Sequence, residues 1–290
     1  MTPEPLPPAP DPRKALDDYA PAEMALRVEA AVATKLSQPL HAVVMLSVLA
    51  GAFIAFGAMF YTLAVTGSGL GFGPERILGG LAFSLGLVLV VVGGAELFTG
   101  NMLALLAWVD GRASFAAPAR FWGVIYLGNL IGALGSAVLV WLSGTLGLAD
   151  HGLAATAIGI AAAKVAIPLD EAFFRGVLCN TLVCLAVWLC FAARSVGSKV
   201  LAIAFPITAF VALGFEHSIA NMYLIPIGWL AALDAGAVAE AGLTPAMLAD
   251  LDLGGFVSNL VPVTLGNIVG GGVFVALVYY VVYRFRRGVT

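Results

Sequence analysis

The chain has 290 residues, of which 61% are hydrophobic and only 11% charged. A soluble domain carries about 25% charged residues, so this chain cannot cover a water-facing surface and lipid must be its main solvent. The net charge of −3 comes without any basic stripe, which excludes a nucleic-acid binder as a class.

Residues 1–12 are rich in proline and lack an apolar core. They read not as a signal peptide but as the start of a disordered cytoplasmic tail reaching residue 20. Residues 21–38 follow as an amphipathic helix in which Met24, Leu26, Val28, Val32 and Leu36 alternate with charges; such a helix is expected to lie on the membrane surface. A transmembrane domain is expected over 39–285, with a cytoplasmic tail at 286–290.

The first span covers 40–65, and the four glycines and one proline of 66–74 make a turn. Unbroken spans are expected at 121–143, 171–193 and 259–283. Two segments are too long to be simple spans. Residues 78–109 hold a single charge, Glu96, and residues 200–233 are polar mainly at Glu216, His217 and Asn221. As straight helices each would be roughly 50 Å long, against a hydrocarbon core of about 30 Å. Each is therefore predicted to be a span broken at mid-membrane into two half-helices. Six spans result.

The breaks repeat. Gly94-Ala95-Glu96-Leu97-Phe98-Thr99-Gly100-Asn101 matches Gly214-Phe215-Glu216-His217-Ser218-Ile219-Ala220-Asn221 at Gly, Glu and Asn, 120 residues apart. Gly128-Asn129-Leu130-Ile131-Gly132 and Gly266-Asn267-Ile268-Val269-Gly270 share Gly-Asn and a small-x-x-x-small spacing for close helix packing. Each half thus reads span, broken span, span. Three spans per half invert the second half, and interrupted segments at matching places in inverted halves point to a transport site. With the N-terminus inside, the inner loops and tails hold 11 of the 14 Lys and Arg, and the outside holds only Arg76, Lys164 and Arg175. The positive-inside rule then places both termini in the cytoplasm, and a bacterial inner membrane is the expected location.

Backbone cannot be irregular facing lipid, so two mid-depth breaks must meet inside the protein. Half-helices beginning near Gly100 and Ile219 point positive ends at the centre, which favours an anion or polar solute over a cation. His217 is the histidine placed deep in a span, suited to give a proton to a weak-acid anion or to hold the anion. Thr99 sits in the opposite break, placed to bond either His217 or its own helix carbonyl. Glu96 and Glu216 would repel anions, and they are expected instead to accept backbone N–H bonds that cap the broken helices.

Asn101, Asn180 and Asn221 are either glue between helices or solute contacts. Lys164 is either a solvated loop lysine or a collector of anions at a pore mouth. Leu97, Phe98, Phe83, Leu87 and Phe210 near the breaks are either packing or apolar constrictions. Cys179, Cys184 and Cys190 lack metal or redox spacing and read as small packing residues. No metal or cofactor is expected.

On these stretches, together with 49–55, 180–188 and 262–272, the chain resembles the formate–nitrite transporter family from about residue 40 to 285. The resemblance implies an aquaporin-like, all-helical fold of six spans, assembled as a homo-pentamer with one pore per subunit. It implies a central His217 paired with Thr99, a vestibule Lys164 that draws the anion in, and Asn180 and Asn221 along the pathway. Leu97, Phe98, Val183, Phe210, Phe83 and Leu87 match its constriction positions. Gly100-Asn101 after Thr99 departs from the Ser-Thr of the best-known formate branch, so formate, nitrite and hydrosulfide stay open. The expected function is passage of a small monovalent anion across the cell membrane, linked to protons because a dry constriction favours the neutral acid. The rivals are a neutral-solute channel, which would lack Asn-Pro-Ala here, a membrane-embedded enzyme without a nucleophile motif, and a structural scaffold, which leaves the paired breaks unexplained.

Overall fold

In the computed structural model, residues 18–284 are described; residues 1–17 of the tail expected at 1–20, and the tail expected at 286–290, lie outside them. Among the described residues the regular structure is entirely helical, in the order α1 (Pro21–Leu36), α2 (Leu40–Val65), α3 (Phe72–Gly93), a 3-10 turn (Gly100–Ala104) running into α4 (Leu105–Val109), α5 (Ala116–Leu142), α6 (Gly152–Val165), α7 (Leu169–Cys190), α8 (Val196–Ala212), α9 (Ser218–Ala231), α10 (Ala235–Ala241), α11 (Pro245–Leu248), α12 (Leu253–Gly271) and α13 (Val278–Tyr283). Five of these, α2, α3, α5, α7 and α12 continued to Tyr283, are long and apolar enough to cross a membrane. The sixth span is built from α8 and α9, interrupted at 213–217.

Both breaks stand where the repeat placed them, but the first does not halve its span. α3 has 22 residues, about 33 Å at the usual rise, and only the short stretch Gly100–Val109 follows the break. The second divides into 17 and 14 residues. After α9 the chain turns by 110° into α10.

The halves pack alike. In the first, α2 lies against α3 and α5; in the second, α7 lies against α8 and α12. Small residues set the closeness: a methyl on Gly132 would stand 2.0 Å from the Val48 carbonyl, and one on Gly270 2.1 Å from that of Val177. Past Gly270, α12 widens into a π segment at Gly272–Leu277. A methyl on Gly271 there would meet the side chains of Asn180 and Cys184 at 2.6 Å.

Two segments depart from expectation. Residues 152–165 are not a loop but an alanine-rich helix, as alanine's helix propensity favours. α6 buries Leu153, Ala154, Ala157, Ile158 and Ala161 and crosses α9 closely where Gly228 faces Ala161. The amphipathic helix α1 does not lay its apolar stripe on lipid. Met24, Val28 and Val32 are buried in the main core together with Met102 and Leu105. Polar anchors complete the docking: Glu29 pairs with Arg112 at 3.1 Å and with Arg284. Burial above all, helped by the nearby Asp110 charge, raises the Glu29 carboxyl above its ordinary value, although Arg284 and Arg112 act to lower it. Before α1, the Tyr19 ring lies between the guanidinium groups of Arg27 and Arg194, 3.8 and 4.0 Å from its centre.

Gly132→Val should destabilise the protein by on the order of 3 kcal/mol or more, because backbone of a neighbouring helix must move. Gly135→Val, one turn along the same helix with open space around it, should leave stability unchanged; denaturant unfolding in micelles compares the two.

Candidate functional site

Each break begins at a glycine in the left-handed region, Gly94 at φ +77° and Gly214 at φ +72°, a conformation that costs other residues a steric penalty. Beyond it, one buried asparagine in each half satisfies three backbone groups. Asn129 accepts the Phe98 N–H at 2.9 Å and donates to the carbonyls of Ser47 at 2.7 Å and Glu96 at 3.0 Å. Asn267 accepts the Ser218 N–H at 2.9 Å and donates to Gly176 at 2.8 Å and Glu216 at 3.0 Å. The N–H groups of Glu96 and Glu216 reach Leu46 and Arg175, both at 3.2 Å. Irregular backbone at this depth is thus tied to its neighbours, as a low-dielectric surrounding requires.

The breaks meet at Thr99 and His217, both buried. His217 Nδ1 accepts the Ala220 N–H at 3.0 Å as the cap of α9. A nitrogen that accepts carries no proton, so the proton of the neutral ring sits on Nε2. Nε2 lies 2.9 Å from Thr99 Oγ1 and donates to it. The threonine hydroxyl then keeps its own hydrogen to offer elsewhere. The Thr99 carbonyl is held by Asn180 Nδ2 at 3.2 Å and Cys184 Sγ at 3.3 Å. Phe210 stacks on the imidazole with centres 5.9 Å apart, and Phe83 meets Phe210 edge-on at 5.6 Å.

Two cavities approach this junction from opposite ends of α3, α7 and α8. One, of 440 Å³, lies on the side of α6 and is lined by Arg76, Phe83, Lys164, Phe210, His217 and Asn221 among others. The other, of 310 Å³, lies on the side of α1 and is lined by Arg27, Lys35, Leu87, Leu97, Asn101 and Lys199 among others. Phe83 and Leu87, one helical turn apart, therefore face different cavities. Phe98, Val183 and Asn180 line neither. Phe98 packs edge-on against Tyr126 at 4.9 Å, and Asn180 also donates to the Asn267 carbonyl at 2.6 Å.

The carboxylates do not cap backbone, against expectation. Glu216 takes Lys164 Nζ on its two oxygens at 2.9 and 3.0 Å and Asn221 Nδ2 at 2.7 Å. Glu96 takes Lys35 Nζ and Asn101 Nδ2, each at 2.8 Å. An ammonium forms the stronger, charge-assisted bond, which leaves the break amides to the neutral asparagines. Lys164 is not a solvated loop lysine either: its side chain is 14% exposed, against 34% for Lys35.

In the sequence Lys35 stands out only as one of the 11 inner Lys and Arg, and Asn129 and Asn267 only as part of a packing motif. The signal for all three was present. Lys35-Leu36-Ser37-Gln38-Pro39-Leu40 aligns with Lys164-Val165-Ala166-Ile167-Pro168-Leu169, 129 residues on. Asn129 and Asn267 are 138 apart. The repeat thus starts one helix earlier than the spans, α1 corresponding to α6, and each half delivers a Lys–Glu–Asn cluster to its own face. The clusters differ in how the lysine is shared, Lys164 bonding both Glu216 oxygens and Lys35 only one of Glu96. Asn101 Oδ1 accepts Lys35 at 3.0 Å, whereas Asn221 Oδ1 has no donor among the described residues.

Residues 22–281 match the family model described as formate/nitrite transporter. The chain belongs to this family. It is 40% identical over 271 residues to the formate channel FocA of Escherichia coli K12, covering 92% of this chain and 95% of that protein. It is 43% identical over 237 residues to the formate channel FocA of Haemophilus influenzae, covering 80% and 84%. A solved structure titled as a pentameric formate channel with formate bound superposes with a TM-score of 0.79 at 41% identity, covering 84% of this chain and 97% of that one. The fold is the aquaporin-like one of this family. The enzyme reading falls, since the relatives are named as channels and transporters.

Asn267→Leu leaves the Ser218 N–H and the Glu216 carbonyl without partners, at about 1–3 kcal/mol each. It should lower unfolding stability in micelles by roughly 3 kcal/mol or more; an unchanged unfolding midpoint would show that the breaks do not depend on this clip.

Proposed function

We propose that this protein conducts formate, with nitrite and hydrosulfide as further solutes of the same pathway, across a bacterial inner membrane as a homo-pentamer with a pore in each subunit. The observation that carries the reading is the Thr99–His217 contact at 2.9 Å, set between two cavities that each hold a lysine. Membership of the family and identity to named formate channels support the solute class. The excess of Lys and Arg on the side of α1 supports both termini being cytoplasmic.

The steps follow from the geometry. An anion entering the cavity beside α6 meets Lys164, whose charge is largely offset by Glu216, so the attraction is weak enough to be reversed. Toward the junction the walls become Phe83, Phe210 and Leu97, and a bare ion there loses its hydration at high cost. The same loss favours the protonated acid. Water in the vestibule supplies the proton. His217 does not, because its Nδ1 is occupied by the Ala220 N–H. The imidazole instead orients Thr99, and the threonine hydroxyl donates to the passing solute. Lys35, its charge partly offset by Glu96, receives the anion on the other face after the proton is lost.

Formate uptake into liposomes should rise as external pH falls. His217→Phe should lower flux at least about tenfold, an effect of about 1.4 kcal/mol on the barrier. His217→Asn, which keeps an N–H donor but cannot be protonated near neutral pH, should keep the pH dependence. A pH-independent flux through the asparagine variant would return the proton step to the histidine. Lys35→Met and Lys164→Met should each raise the formate concentration at half-saturation, with the larger effect when formate is supplied from that residue's own side.

A further inference from the structure

A third cavity, also 310 Å³, opens on the side of α1 between the starts of α2 and α5. Its walls include Leu40, Val43, Phe121 and Val124, and three polar side chains share it: Lys35, Gln38 and Arg120. Among the described residues no carboxylate lines it. Arg120 is exposed, and no ion pair or hydrogen bond among the described residues holds its guanidinium. Gln38 Oε1 is buried and has no donor among the described residues. Since α2 starts at Leu40 and α5 at Ala116, the cavity sits where two spans enter the hydrocarbon, at the depth of lipid headgroups.

The repeat supplies an internal comparison. Shifted by 129, Gln38 corresponds to Ile167; shifted by 138, Arg120 corresponds to Ser258. Lys35, Pro39 and Leu40 are kept as Lys164, Pro168 and Leu169. The second half builds the same helix junction without the amide or the second cation. Those two groups are therefore not needed to form the junction, and the transport steps do not use them.

We infer that this cavity binds the headgroup of an anionic phospholipid. The phosphate sits against the Arg120 guanidinium, whose planar fork matches two phosphate oxygens, with Lys35 adding charge from the inner side. A headgroup hydroxyl donates to Gln38 Oε1, and the first acyl carbons lie along Leu40, Val43 and Val124. Basic pockets between transmembrane helices recognise lipid headgroups in this way. Lys35 joins the lipid to the pathway, because the same ammonium also holds Glu96 and Asn101.

The test uses the full-length protein in phosphatidylcholine nanodiscs doped with phosphatidylglycerol, followed by native mass spectrometry of retained lipid. The protein should retain phosphatidylglycerol over phosphatidylcholine. Gln38→Ile with Arg120→Ser, which copies the other half, should reduce that preference about tenfold while leaving the unfolding midpoint in pure phosphatidylcholine unchanged. Arg120→Lys should keep part of it. Equal retention by the double variant and the parent would overturn the assignment. So would tight retention of inorganic phosphate without lipid, which would make this a soluble-anion site. Loss of subunit assembly rather than of lipid in the double variant would also overturn it, by showing that a second copy covers the groove.

Discussion

Polar backbone in the middle of an apolar slab must find partners within the protein, and the rest of this structure depends on how that demand is met. Two asparagines meet it. Asn129 and Asn267 each bind one N–H and two carbonyls, joining a break to the helix beside it. Both come from helices of the same half as the break they hold. With the breaks fixed, the imidazole of His217 has one orientation available, because its Nδ1 closes the first turn of α9. Thr99 is set from the other side by Asn180 and Cys184 on its carbonyl.

This arrangement separates two tasks that look alike in a list of polar residues. Neutral amides hold the backbone, and charged groups stay beside the cavities. Glu96 and Glu216 each have an ammonium and an amide as partners, which buried charge requires if the pairing is not to be strongly unfavourable. A lysine already matched by a carboxylate still carries a hydrogen and a residual field for a passing anion. It binds loosely, and a conducting pathway needs loose binding.

The parts of the fold legible in the sequence were those carried by length and by repetition. Segments of 32 and 34 residues could not be single rods, and the recurrence of Gly, Glu and Asn around 96 and 216 located both interruptions. Position alone left Thr99 between His217 and its own helix carbonyl, and only the family resemblance pointed to the pair. What stayed hidden depended on which partner wins a contest in space. Glu96 and Glu216 had two plausible sets of donors, backbone amides or distant ammonium groups, and spacing along the chain does not decide between them. α6 was hidden because an alanine-rich stretch shorter than a span has neither a strong apolar period nor enough length. Lys35 was hidden by its amphipathic neighbours, although its Pro-Leu sequel repeats after Lys164.

The inverted halves leave comparable charge clusters at the two mouths, one around Lys35 and one around Lys164. A solute crossing in either sense therefore meets a shallow well, a narrow dry stretch and a second shallow well. Such a profile does not rectify. On the pathway proposed above, the sense of net movement is then set by the conditions on the two sides and not by the shape of the barrier.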